Sequence, residues 1–399
     1  MENQFDDEDI NQAPDINKIY YCSPLTKSTG FTLLMKQILL YKKHPDIKLD
    51  FSTINIKNTE GWTVLHIACR NSNTFCDIKI VKLLLENNAD VNIKNNDGWS
   101  ILMSACLFSN TDSNIETVKL LLQNNADVNT QDNDGITAIM KSCFHSNDYS
   151  NNETVKLLLE NNANIDTRDN EGWTCLMCAS RYSNSSSTNA TVKLLLEFNA
   201  DVNIKSNNNW TALLLASRHS NKDSNNETVK LLLENKADVD IKNNNNLSAL
   251  FLAIKYSNSE TIKLLLKYGA DIKNLGDINI ENKEIIKILL EYGYTNISNK
   301  EFDIEFLEEL CLIRLYDYEF CKKFFNVISN NFIEKIYNYN YYYKFIKKNI
   351  LNTRNKIYEK PNNILSLCYE YEFIPFPEIF GVSILFKFSE EKSFLNIFL

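Results

Sequence analysis

The sequence repeats itself at an interval of 37 residues. One large apolar residue marks each unit, at Trp62, Trp99, Ile136, Trp173, Trp210 and Leu247. Triple-leucine runs keep the same spacing at 83–85, 120–122, 157–159, 194–196 and 231–233, and a sixth run follows at 264–266. A period of roughly 20 to 50 residues is typical of supersecondary units that stack and bury their apolar faces on one another. The sequence therefore predicts a solenoid.

One unit, residues 95–131, shows the order of the elements. A turn at Asp97 and Gly98 precedes a stretch with the apolar spacing of a helix, 100–108. A loop rich in Ser and Asn follows, and a second helix is predicted over 117–124. Each unit is thus expected to be a turn, a helix, a loop and a helix.

Both ends of the second helices carry capping signals. Ser113 and Glu116 form a Ser-x-x-Glu capping box, which predicts Ser113 as the N-cap, and the box recurs at 150–153, 224–227 and 257–260. Past the C-terminal end stand the residue types that adopt a left-handed conformation most readily, namely Asn88, Asn125, Asn162, Asn199 and Gly269. The fifth helix has Lys236 at this position, so we expect a slightly strained end there.

Charge and glycine content exclude two kinds of partner. The chain has 42 Lys and Arg against 51 Asp and Glu, and its net charge of −9 has the wrong sign for binding a phosphate backbone. Its 9 glycines all lie more than six residues apart, whereas a P-loop or a G-x-G-x-x-G turn needs them closely spaced. We expect neither a nucleic-acid partner nor a nucleotide.

Cysteine and histidine patterns do not favour a metal or a cofactor. Cys175 and Cys178 have the spacing of a redox or zinc motif, but both stand at first-helix positions that Val64 and Ile67 occupy in the first unit. No His-Glu-x-x-His string or Cys/His cluster occurs. We therefore predict packing roles for these cysteines and expect no metal, no cofactor and no small-molecule substrate.

The sequence also carries no sign of secretion or membrane insertion. It opens on acidic residues rather than on a basic segment followed by an apolar one, and no apolar run approaches the roughly 18 residues that span a bilayer. We expect an intracellular, cytoplasmic protein with no membrane partner, in which the 10 cysteines are thiols.

The repeated strings resemble the ankyrin-repeat family. GWTVLHIAC from Gly61 and IVKLLLENNADVN from Ile80 match the family's turn, first helix and second helix, and the motif returns in register over 58–275. The family's histidine survives only as His66, and five units carry four extra residues between their helices relative to a period of about 33. These Asn-rich loops are similar to those of ankyrin proteins multiplied in giant amoeba-infecting DNA viruses. The resemblance implies an all-α ankyrin-repeat solenoid.

The composition divides the chain into five segments. Residues 1–18 are predicted to be an acidic disordered tail, and 58–275 to be six ankyrin repeats. Degenerate capping repeats are expected at 19–57 and 276–299, since a solenoid needs atypical units at its ends. Residues 300–399 are rich in Tyr and Phe and are predicted to form a helical C-terminal module.

The resemblance also implies where a partner binds. Ankyrin proteins contact partners through their turn tips and the exposed side of their first helices. Carried over by register, these positions form what we call the first-helix stripe, comprising Trp99, Trp173, Trp210, Phe108, His145, Tyr182, His219, Tyr256, Arg181, Arg218 and Lys255. Trp, Tyr and Arg are frequent binding hot spots. For the tryptophans a structural role, each ring covering its neighbour, competes with partner binding, whereas the more varied columns favour binding.

These features predict a non-enzymatic scaffold or adaptor that binds a protein partner, a host protein if the chain is viral. An alternative is a substrate adaptor of a ubiquitin ligase, because Ile374 to Ile379 and the pair Ile384-Leu385 resemble the truncated F-box of poxvirus ankyrin proteins. An apolar segment that closes the C-terminal module would explain the same residues. Catalysis in that module is disfavoured, since 300–399 contains no histidine and a single glycine, Gly381.

Overall fold

The computed structural model describes residues 20–21, 27–42, 46–273, 275, 280, 282–292 and 294. The predicted acidic tail, the module 300–399 and the F-box-like segment lie outside these residues. The chain divides into two units, Met1–Ala270 and Asp271–Leu399, which are treated separately.

The first unit is built from helix pairs that follow one another in register. Before the pairs, two-residue strands β1 (Tyr20–Tyr21) and β2 (Lys27–Ser28) form an antiparallel ladder, and α1 spans Leu33–Leu40. The first helices of the pairs are α2 (Val64–Arg70), α4 (Ile101–Leu107), α6 (Ala138–Phe144), α8 (Cys175–Arg181), α10 (Ala212–His219) and α12 (Ala249–Tyr256). The second helices are α3 (Ile78–Glu86), α5 (Ile115–Gln123), α7 (Asn152–Glu160), α9 (Asn189–Glu197), α11 (Asn226–Glu234) and α13 (Ser259–Lys267).

The helices form two layers, one of first helices and one of second helices. Each first helix packs against the first helix of the next pair, and the second helices do the same. First helices are buried almost all round, as α4 shows with every residue buried, whereas second helices bury one stripe, such as Val118 and Leu121 in α5. This is an all-α repeat solenoid, as predicted.

The ends of the described region depart from the paired pattern. A 3-10 turn over Phe51–Thr53, capped by Asp50, stands where a second helix would follow α1. In the second unit, the described residues include one helix, α14 (Lys283–Glu291).

The N-caps of the second helices lie one residue later than the sequence predicted. In α5 the cap is Asn114, whose side chain accepts from the backbone N–H of Thr117 at 3.0 Å. Asn151, Asn225 and Asn258 cap the corresponding helices in the same way. The predicted cap Ser113 instead hydrogen-bonds Ser72 of the preceding repeat, at 3.3 Å between the two Oγ atoms. The prediction that Ser113 is the N-cap was therefore wrong, because this serine hydrogen-bonds the preceding repeat instead of capping its own helix.

The C-terminal ends follow the prediction. Asn88, Asn125, Asn162 and Asn199 have φ of 61–63°, and Gly269 has φ of 86°. Lys236 takes the same left-handed conformation, with φ of 65°. A side chain without the local hydrogen bonding of Asn is strained there.

The four extra residues between helices form a ladder across repeats. The backbone N–H of Asn110 donates to the carbonyl oxygen of Tyr149 at 3.0 Å. Its side-chain amide donates to the backbone carbonyl oxygen of Asp148 at 3.1 Å. Asn73, Asn147 and Asn184 each make the same pair of bonds to the next loop. Much of the Asn content thus has a structural role, and the ladder fixes the loops that follow the first helices.

Candidate functional site

The first-helix stripe lies where the first helices end and the ladder loops begin. Phe108, His145 and Tyr182 are the C-cap residues of α4, α6 and α8. Arg181, Arg218 and Lys255 occupy the last turns of α8, α10 and α12, and His219 and Tyr256 are the last residues of α10 and α12. The three tryptophans lie just ahead of the first helices and are half-buried. The register therefore brings the predicted residues to one face.

Cations cover the tryptophan rings in the later repeats. The guanidinium carbon of Arg181 lies 5.5 Å from the ring centroid of Trp173 and 4.9 Å from that of Tyr182. Arg218 repeats this arrangement with Trp210 at 5.5 Å and reaches Tyr256 of the next repeat at 5.1 Å. Each arginine thus stacks between a Trp and a Tyr, and the described ring contacts place a cation, not a neighbouring Trp, on the indole faces.

In the first repeat the equivalent cation is part of the core. Arg70 is 5% exposed, and its guanidinium carbon lies 3.8 Å from the ring centroid of Phe108 and 5.8 Å from that of Trp62. Trp62 is itself buried and meets His66 edge-on. Phe108 therefore covers an arginine of the preceding repeat.

A buried ion pair that the sequence analysis missed lies beneath Trp99. The Nζ of Lys141 is 2.7 Å from an Oδ of Asp132 and 3.8 Å from the centroid of the Trp99 ring, and Lys141 is 9% exposed. Burial lowers the pKa of Lys141, whereas Asp132 acts to raise it. The signal was in the register, since the Lys141 column holds Ile67, Ser104, Cys178, Leu215 and Leu252 in the other repeats.

Two aromatic residues that the sequence analysis did not select extend the stripe. Phe144 takes the place of the arginine column in the third repeat, and its ring centroid lies 4.6 Å from that of Tyr182. Tyr149, in the ladder loop, is 42% exposed and lies edge-on to both Phe108 and His145. Aromatic rings therefore run without a break from the second repeat to the fourth.

The later repeats form a positively charged pocket. It has a volume of about 260 Å³ and is lined by Arg218, His219, Lys222, Asp223 and Tyr256. Burial lowers the pKa of His219, and Arg181 and Arg218 lower it further. Asp223, with its Oδ2 3.6 Å from the Nδ1 of His219, opposes that effect only in part.

The sequence model of the ankyrin-repeat family matches the chain in three overlapping copies, at residues 27–132, 109–205 and 185–275. Together they cover more than half of the 399 residues. The chain belongs to the ankyrin-repeat family.

Viral ankyrin-repeat proteins are among its relatives. Three ankyrin repeat proteins of Acanthamoeba polyphaga mimivirus are 37%, 39% and 40% identical over 85, 88 and 84 residues. These segments cover 19%, 18% and 19% of this chain but only 10%, 14% and 14% of the relatives. The resemblance to Asn-rich viral ankyrin proteins is thereby confirmed, over a small part of each relative's length.

The ankyrin scaffold uses its Cys-x-x-Cys string for packing. Cys175 is buried and donates from Sγ to the carbonyl of Ile165 at 3.0 Å. Burial raises the pKa of the Cys178 thiol, which therefore stays protonated. No group of three or more potential ligands in the part of the chain that the structure describes could hold a metal ion. None of the described helices is long and apolar enough to cross a membrane.

Proposed function

We propose that this protein is a non-enzymatic scaffold that binds a protein partner through the first-helix stripe. The observation that carries the proposal is the run of aromatic and cationic side chains that continues from Phe108 to Tyr256 across successive repeats. Such residues are enriched among binding hot spots because they contribute a large apolar surface together with a polar or charged group. Ankyrin repeats generally mediate protein–protein interaction.

The chemistry of the described groups supports a binding role over a catalytic one. His66 is fully buried, and burial lowers its pKa to about 3, so it stays neutral at physiological pH. The thiols of Cys69, Cys106 and Cys143 are buried with raised pKa values, so they are poor nucleophiles. These groups serve packing.

The relatives suggest the setting in which the partner is met. Since the similar proteins belong to a virus of Acanthamoeba, we propose that the partner is a protein of an amoebal host cell and that binding takes place in its cytoplasm.

Affinity capture from Acanthamoeba extract with the full chain tests this proposal. The test variant is Tyr182→Ala with Tyr256→Ala. Its control is Phe198→Ala with Tyr268→Ala, which removes two exposed rings from the ends of second helices. Circular dichroism would verify that both variants remain folded.

We expect the stripe variant to lose a captured protein by about tenfold or more, since hot-spot truncations often exceed 2 kcal/mol. The control should retain that protein. If the stripe variant captures the same proteins as the wild type, or if the control loses them equally, the stripe is not the binding surface.

A further inference from the structure

The fourth to sixth repeats carry positive charge that the protein does not neutralise. Arg181 and Arg218 are half-buried, and Lys222 and Lys255 are exposed. Among the described residues neither guanidinium has a carboxylate within 4.0 Å, and the buried Nε of Arg181 has no hydrogen-bond acceptor. The chain as a whole has a net charge of −9, so this local excess is opposite in sign to the net charge of the protein.

The arginines are held in place by rings rather than by acids. Arg181 stacks against Trp173 and Tyr182, and Arg218 against Trp210 and Tyr256. Stacking uses the face of a guanidinium and leaves its N–H edge for a planar, bidentate acceptor. Two arginines in consecutive repeats are therefore pre-organised for carboxylates, because little side-chain freedom remains to be lost on binding.

Two of the three turns beside this region have also lost their acids. The exposed residue before the turn glycine is Glu60, Asp97, Asp134 or Glu171 in the first four repeats. The fifth and sixth repeats have Asn208 and Asn245 at this position. Burial is the main cause of the lowered pKa of His219, and Arg181, Arg218 and Lys222 lower it further, as nearby positive charge does.

We propose that the fourth to sixth repeats bind an extended acidic segment of the partner, with Arg181 and Arg218 pairing with its carboxylates. This inference rests on the proposed function and names the chemistry of the partner at that site. Tyr182 and Tyr256, the latter 43% exposed, provide ring surfaces for apolar or aromatic residues between the acids.

The pocket favours a carboxylate over a phosphate. It offers Arg218, Lys222 and the ring of Tyr256, but the carboxylate of Asp223 is also part of its lining. Arg218 and Lys222 against Asp223 leave one net positive charge, which one carboxylate neutralises, whereas a dianionic phosphate would leave an excess of negative charge. An Asp or Glu side chain therefore suits the pocket best.

Fluorescence anisotropy with the full chain tests the inference. The probe is a fluorescein-labelled peptide of alternating Glu and Tyr, compared with a Gln–Tyr peptide and with one that contains phosphotyrosine flanked by Gln. The test variant is Arg181→Met with Arg218→Met, which keeps most of the side-chain volume. Its control is Lys156→Met with Lys193→Met, which removes the same charge from second helices α7 and α9.

We expect the Glu–Tyr peptide to bind at least about tenfold more tightly than the Gln–Tyr peptide, and the arginine variant to lose that advantage, since hydrogen bonds between charged groups are stronger than neutral ones. The lysine control should change affinity by less than about twofold, because exposed charges at a distance are screened. Salt should weaken binding to the wild type far more than to the arginine variant.

Three results would overturn the inference: no detectable binding of the Glu–Tyr peptide, equal affinity for the Gln–Tyr peptide, or tighter binding of the phosphotyrosine peptide. The capture experiment tests the proposed function separately. If Tyr182→Ala with Tyr256→Ala loses the captured protein while both uncharged and acidic peptides bind alike, the stripe binds a partner that is not acidic.

Discussion

The two halves of the repeat array use cations on the first-helix layer in opposite ways. In repeats one to three (residues 58–168), Arg70 and Lys141 are 5% and 9% exposed. In repeats four to six (residues 169–275), Arg181 and Arg218 are half-buried and Lys255 is exposed. The repeat register thus determines the position of each cation. The contacts of that cation determine whether it belongs to the core or to a binding surface.

Two contacts account for the difference. Phe108 of the second repeat covers Arg70, and Asp132 neutralises Lys141 at 2.7 Å. In the later half the arginines lie against half-buried tryptophans and against tyrosines, and no carboxylate among the described residues pairs with the guanidinium groups. The earlier cations are therefore used within the protein, whereas the later ones can meet a partner.

The largest expected effect concerns the buried ion pair. Asp132→Asn leaves the ammonium of Lys141 buried without its counter-charge, and we expect a loss of about 3–5 kcal/mol in the free energy of unfolding. Asp169→Asn is the matched change in the fourth repeat, where Cys178 replaces the lysine, and it should cost less than about 1 kcal/mol, because Asn fills this position in other repeats. Urea unfolding measures both.

The double change Asp132→Asn with Lys141→Ser reproduces the pair found in the second repeat, Asn95 and Ser104. It should recover most of the stability that Asp132→Asn loses. Equal losses for Asp132→Asn and Asp169→Asn would show that the ion pair is not what distinguishes the two halves.

A second prediction separates the surface from the core. Leu121→Ala in α5 and Leu195→Ala in α9 each empty a fully buried site, and each should lower the free energy of unfolding by about 2–5 kcal/mol through lost burial and a cavity. Similar losses for the two variants would show that the cores of the two halves are equivalent and that the halves differ at the surface. A loss below about 1 kcal/mol for one of them would contradict the equivalence of the two cores.

A third prediction is that acid lowers the free energy of unfolding through His66, which lies in the earlier half. Burial lowers the pKa of His66 to about 3 in the folded state, while the unfolded chain has an ordinary value near 6.5. Between these values the unfolded state binds a proton that the folded state does not bind. The free energy of unfolding therefore decreases by about 1.4 kcal/mol for each unit by which the pH is lowered. Above about pH 7 both states are neutral, and the effect vanishes.

Comparison with His66→Met isolates this contribution, since Met103 fills the position in the second repeat. From pH 6 to pH 4, the difference in unfolding free energy between wild type and variant should shift steadily against the wild type. Parallel pH profiles would mean that His66 is protonated in the folded protein.

The smallest expected effect compares two arginines directly. Arg70→Met should cost about 1–2 kcal/mol, because a desolvated cation–π contact is lost, whereas Arg218→Met should cost less than about 1 kcal/mol, because Arg218 is only half-buried and water already reaches its cation–π contacts. Thermal unfolding shows which of the two variants loses more stability. A larger loss for Arg218→Met would reverse the assignment of core and surface.

Register and local signals predicted the helix pairs, the left-handed Asn88 and the face on which Tyr182 and Arg218 lie. They misplaced the N-cap at Ser113, since the hydrogen bond that this serine makes to Ser72 depends on how successive loops stack. They also missed the burial of Lys141, because Trp99, which lies against its ammonium, belongs to the preceding repeat and becomes its neighbour only once the repeats pack together. Contacts within a unit are encoded locally, whereas contacts between units require the stack.

Arginine modification by phenylglyoxal, followed residue by residue with mass spectrometry on the folded protein, tests the division between the halves most directly. The account predicts that Arg181 and Arg218 react readily, that the Glu–Tyr peptide protects them, and that Arg70 reacts only after unfolding. Modification of Arg70 at the rate of Arg218 in the folded protein would contradict it.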